Sequence, residues 1–186
     1  MTSPAPRICE PEIPQPSTHD PAPDMRIVGI DPGSRYTGYG IIKKDGQHYE
    51  HIASGRINAT SGKTFAHRLQ IIYRGLQGVL AEWPVDAAAI ETIFTAHNVR
   101  STIKLGQARG VALLAIHHID LEIHEYSPAE VKKNVVGHGR ATKQQIQRMV
   151  KMRLDFHGHL SEDAADALAI ALCYGQASDF DKCLQR

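Results

Sequence analysis

The sequence has little cysteine, no long apolar run and almost no net charge. Its three cysteines, Cys9, Cys173 and Cys183, form no C-x-x-C pair. That counts against a disulfide framework or a zinc cluster and for a reducing, cytoplasmic setting. No apolar stretch approaches the ~20 residues of a membrane span. The proline-rich start lacks the apolar core of a signal peptide. The net charge is only +1, so no single-sign field dominates the chain. What remains is a globular composition: 42% hydrophobic residues in 186, enough for one domain with a real core.

The small net charge hides a division. Residues 1–24 hold seven prolines, one base (Arg7) and four acids (Glu10, Glu12, Asp20, Asp24). Proline at that density forms neither helix nor central strand, so a disordered, proline-rich tail is expected over 1–24. Either this is an upstream start with Met25 the functional beginning, or residues 1–24 are a docking tail. Of the 21 bases and 20 acids, 20 and 16 fall after residue 24, a net +4. This mild excess suits a polyanionic partner.

From Met25 the patterning changes. Residues 25–31, 36–43 and 47–57 read as three strands joined by tight turns, the second at Asp45-Gly46. Phe65, Leu69, Ile72, Leu76 and Val79 recur every three or four residues and predict an amphipathic helix over 62–82. A short strand follows from Val85 to Glu91, then a helix over 98–118, with Gly106 and Gly110 on one face and suited to close packing. A fifth strand spans 121–126. Ser127-Pro128 starts a short helix, Thr142 caps another to about 153, and Ser161 caps a last helix through Tyr174. The expectation is an α/β fold, a mixed five-stranded sheet flanked by helices. It occupies 25–178, with a short C-terminal tail over 179–186.

Two of these strands end in an acid. Ile27, Val28 and Ile30 run into Asp31 and a Pro-Gly-Ser turn; Ala87 to Ile90 run into Glu91. A carboxylate at the end of a buried strand is costly unless a cation meets it. Asp163 and Asp166 share one face at the start of the last helix. Turn formation and helix capping explain each acid singly. Pooled, four carboxylates would repel unless divalent cations lay among them. Hard oxygen donors without a histidine or cysteine set favour Mg2+ or Mn2+. Two such ions about 3.5–4 Å apart suit in-line attack on a phosphodiester.

Several motifs then fall in a fixed order: Ile30-Asp-Pro-Gly-Ser-Arg-Tyr-Thr-Gly-Tyr-Gly40, Ala89-Ile-Glu-Thr-Ile-Phe94, Lys104-Leu-Gly-Gln-Ala-Arg-Gly110, Val131-Lys-Lys-Asn-Val-Val-Gly137 and Asp163-Ala-Ala-Asp-Ala-Leu-Ala169. Together they resemble the RuvC family, the Holliday-junction resolvases, from residue 25 to about 175. The resemblance implies a ribonuclease H-like fold and a homodimer on four-way junction DNA. It implies paired, metal-dependent nicks in strands of like polarity, in recombination and DNA repair, and a branch-migration helicase complex as partner. By that resemblance Asp31, Glu91, Asp163 and Asp166 hold two Mg2+ ions per site, with Mn2+ able to substitute. Family members differ at the third acid, some carrying histidine there. Lys132 and Lys143 match lysines that contact DNA near the cut, and Phe94 matches an aromatic that stacks on an opened base. Arg140 adds a charge to a loop that is often small in relatives.

The residues support part of this independently. Between Ser127 and Arg153 stand seven bases against one acid, Glu130. Such a run is either a solvated face or a phosphate-binding one. Phe94 is either core packing or a stacking platform. Two other functions compete: a junction-binding protein without catalysis, and an actin-like ATPase with a similar first hairpin. The first gains nothing from four pooled acids, and the second needs two domains to close on a nucleotide.

Overall fold

The structure, a computed structural model, describes residues 24–93 and 98–184. The expected proline-rich tail lies outside them except for Asp24, whose carboxylate pairs with Lys43. Phe94 also lies outside the described residues.

Five strands form one sheet: β1 (Met25–Asp31), β2 (Tyr36–Asp45), β3 (His48–Asn58), β4 (Ala87–Glu91) and β5 (Ile123–Tyr126). Their order is β3-β2-β1-β4-β5. β1, β2 and β3 are antiparallel neighbours, while β4 runs parallel to both β1 and β5. The hairpins need only short turns. At the first, the buried Thr37 hydroxyl donates to the Gly33 carbonyl at 3.0 Å and closes the Pro-Gly-Ser loop.

Among the described residues the helices are α1 (Phe65–Glu82), α2 (Val99–His117), α3 (Pro128–Val136), α4 (Lys143–Arg153) and α5 (Glu162–Leu184). Thr64, Asn98, Ser127 and Thr142 cap the first four through their side chains, the last two as reciprocal capping boxes. α5 extends to Leu184, into the stretch expected as a short C-terminal tail. Among the described residues no helix is long and apolar enough to cross a membrane.

Strand alternation divides the core into two layers. Val28, Ile30, Ile41, Ala88 and Ile90 face α1 and α2. Ile27, Ile42 and Ala89 face α5, which α3 and α4 cover from outside. Covered on both sides, α5 is buried from Ala167 to Cys173, and its sequence is apolar all round.

Glycines decide how closely α5 lies on the sheet. A Cβ at Gly29 would strike the backbone of Ala167, and one at Gly38 the carbonyl of Asp163. Bare strand backbone at these positions lets helix backbone rest directly against it. Gly106 and Gly110 behave differently. Their spacing suits close packing, yet among the described residues nothing lies where their Cβ atoms would stand. α2 instead turns Ala108, Ala112, Ala115 and Ile116 to the core.

Candidate active site

The same alternation aims the acids. Asp31 follows Ile27 and Gly29 on the α5 side of β1, and Glu91 follows Ala89 on the α5 side of β4. Ile30 pairs with Ile90 in the parallel register, so the two carboxylates leave neighbouring strands at one level. Across β2 the partner of Asp31 is Gly38, which offers no side chain to cover it. α5 begins just there. Ser161 Oγ accepts from the Ala164 N–H at 3.4 Å, and Gln147 donates to the Leu160 carbonyl at 2.7 Å, fixing the entry to the helix.

Asp31, Glu91 and Asp166 therefore line one cavity of about 280 Å³, together with Lys132, Lys143 and the apolar Val131 and Ile146. Asp163 does not line it. It lies beside the cavity and is 3.6 Å from Arg56 Nη1 on β3. Lys143 Nζ stands 3.5 Å from both Asp166 and Glu162.

The electrostatics follow from burial. Asp31 is pushed up to about 8, first by desolvation, then by the charges of Glu91, Asp166 and Asp163, with Lys143 opposing. Glu91 rises to about 6 through burial and Asp166, against the pull of Lys132 and Lys143. Asp166 is also raised, burial outweighing Lys143. Asp166 in turn holds the Lys143 ammonium above its usual range. The protein's own cations thus leave this cavity short of positive charge.

The donor set fits a hard divalent cation. It offers carboxylate oxygens in a polar hollow with no thiolate or imidazole beside them. Among the described residues, no three potential ligand side chains converge closely enough to grip an ion as they stand. Asp166 is engaged with Lys143 and Asp163 with Arg56, so binding requires these side chains to turn.

Arg140 lies exposed in the loop between α3 and α4 and does not line the cavity. Within the basic run, Lys151 donates to the Gly158 carbonyl and Arg153 to the Asn134 carbonyl, so both also brace loops.

Three further residues reach the site without having been singled out from the sequence. Glu162 shares Lys143 with Asp166. Arg56 joins Asp163 while lying 4.6 Å over the Tyr36 ring. Arg109 Nε donates to the Glu91 carbonyl at 3.1 Å. Only Arg109 fell inside a motif noted above; the other two carry no signal in their spacing.

Comparison with known proteins gives this arrangement a context. The family model described as crossover junction endodeoxyribonuclease RuvC matches residues 27–174. Crossover junction endodeoxyribonuclease RuvC of Geobacter metallireducens is 47% identical over 161 residues, covering 87% of this chain and 98% of that protein. The Hahella chejuensis protein of the same name is 49% identical over 150 residues, covering 81% and 87%. Among solved structures, Thermus thermophilus RuvC in complex with a Holliday junction substrate superposes with a TM-score of 0.78 at 27% identity, covering 84% of this chain and 96% of that one. The fold is accordingly ribonuclease H-like, and the chain belongs to the RuvC family of crossover junction endodeoxyribonucleases.

Proposed function

We propose that this endonuclease resolves four-way DNA junctions by paired nicks in strands of like polarity, using Mg2+ held by Asp31, Glu91 and Asp166, with Asp163 joining from the rim. The observation that carries the reading is the shared cavity: three carboxylates pressed together, two of them raised to about 8 and 6, with lysines on the wall. A binding module for a polyanion gains nothing from such a hollow. Hard divalent ions, two per site, supply Lewis acidity toward a phosphodiester when bound, and Mn2+ serves in place of Mg2+. Asp31 gives up its proton to receive them, and Asp166 leaves Lys143. Lys143, freed in this way, and Lys132 bind the phosphates that flank the cut. Arg140 adds a phosphate contact further out, and Phe94 stacks on an unpaired base.

A four-way junction has two-fold symmetry, and an isologous dimer matches it. Val99, Ile103, Gly106, Gly110 and Leu114 form an exposed stripe along α2, three of them large and apolar. We assign the subunit seam to this stripe, which gives a role to glycines that no contact among the described residues requires. A branch-migration helicase complex is the partner this reading carries, and the cytoplasm its setting.

Strand-resolved cleavage of a mobile synthetic junction tests the proposal, with Mg2+, Mn2+ and Ca2+ in parallel. Symmetric nicks with Mg2+ and Mn2+ are expected. A Mg2+ titration that bound the junction and never cut it would refute the catalytic reading.

A further inference from the structure

Arg109 is a largely buried cation near the site, with 17% of its side chain accessible. It stands on α2, which packs on the opposite face of the sheet from α5. Its guanidinium spans two strand ends. Nε donates to the Glu91 carbonyl at 3.1 Å, where β4 terminates. Nη2 meets the Glu125 carboxylate of β5 at 2.5 Å. One residue further on, the Thr92 N–H donates to the Tyr126 carbonyl at 2.8 Å. The Glu91–Thr92 peptide is therefore held at its oxygen by a side chain and at its nitrogen by the neighbouring strand.

That peptide decides where Glu91 points. At a strand's end the ladder no longer fixes the carbonyl, and rotation of the peptide would swing the Glu91 side chain relative to Asp31. A planar guanidinium with donors at fixed angles resists this rotation in a way a lysine ammonium cannot. Glu125 holds the far side of the guanidinium by charge: buried Nη2 lies within ion-pair distance of its carboxylate but makes no aligned hydrogen bond.

We propose that Arg109 is a positioning residue. Through the Glu91 carbonyl it sets the Glu91 carboxylate for divalent-cation binding, and Glu125 aims it. This rests on the assignment of Glu91 to the cation site. It gives the Lys104–Gly110 motif a task within the subunit that is separate from any subunit contact.

The test compares Arg109→Met, Arg109→Lys and Glu125→Gln with the wild type. Each is read by the Mg2+ concentration for half-maximal junction cleavage and by the rise in Tm that Mg2+ produces. Loss of a residue that orients a metal ligand typically weakens metal binding or activity by about 10–100-fold. Arg109→Met should raise the Mg2+ requirement by about tenfold or more and shrink the Mg2+-induced Tm rise, with metal-free junction binding kept. Arg109→Lys should not restore it, because a point charge cannot hold both acceptors. Glu125→Gln, at a half-exposed position, should fold normally and show a smaller shift in the same direction. Ile116→Val on the same helix is the stability control, expected to lower Tm without moving the Mg2+ requirement.

An unchanged Mg2+ requirement in Arg109→Met overturns the proposal. So does an equal shift in Ile116→Val. If Arg109→Met does not fold, a wild-type Mg2+ requirement in Glu125→Gln overturns it instead. Glu91→Gln separates the two layers of inference. If that variant cuts normally, the cation-site assignment itself fails; if it is inactive while Arg109→Met is normal, only the role of Arg109 does.

Discussion

Asp31 carries the clearest consequence at the scale of single residues. Burial, then the neighbouring carboxylates, push its pKa up to about 8 from an ordinary 3.8. Between those values the folded chain keeps a proton that the unfolded chain has released. Stability without metal should therefore fall as pH rises through that window. Thermal melts in chelator should show Tm dropping from pH 6 to pH 9, and Asp31→Asn should flatten the drop. At pH 9 the variant should exceed the wild type by at least about 1 kcal/mol, or about 2–4 °C for a chain of this size. Mg2+ should do the reverse, raising the wild-type Tm more at pH 8.5 than at pH 6, because its binding displaces the proton. A second residue-scale test concerns Lys143. Lys143→Met should weaken junction binding similarly across sequences and reduce the salt slope by about 1, as a phosphate contact does. Gel shifts at several salt concentrations measure this. Asp31 and Glu91 were legible in the sequence because an acid directly after a run of buried residues is conspicuous. The pairing of cations with these acids was not, although Lys143 matches a lysine near the cut. Arg56 and Lys143 reach α5 from β3 and α4, and Arg109 reaches β4 from α2. Such meetings depend on how elements pack, which local spacing does not encode.

At the scale of elements, the approach of α5 to the sheet governs the site. Gly38 faces Asp31 across the hairpin and the Asp163 carbonyl across the layer gap. Gly38→Ala should force the start of α5 outward, costing about 1–3 kcal/mol as other overpacked interiors do. Cleavage should fall further than junction binding, since the lysines on α3 and α4 remain. Urea melts and cleavage rates on the same preparation check both parts. The periods of strand and helix made nearly every element visible beforehand, including the caps Ser127, Thr142 and Ser161. The glycines divided into two kinds that the sequence could not separate. Gly29 and Gly38 meet helix backbone, whereas Gly106 and Gly110 meet nothing among the described residues. Spacing alone had suggested close packing for the second pair.

For the whole molecule, the sheet order matters most. Placing β4 beside β1 puts Asp31 and Glu91 on adjacent strands, although 59 residues of chain lie between them. A mixed sheet followed from the sequence; its order did not, because parallel pairing is a long-range choice that leaves no local trace. The exposed stripe on α2 then bears on assembly. Ile103→Glu with Leu114→Glu should leave the fold intact and yield a monomer by light scattering, with paired nicking lost.

The most direct measurement is cleavage of one synthetic four-way junction by Asp31→Asn, Glu91→Gln and Asp166→Asn, with binding followed on the same samples. Each variant should bind the junction and lose at least about a hundredfold in cutting rate, the scale on which removing one preorganised electrostatic group acts. Near-wild-type cutting by any of the three would contradict the common cation site.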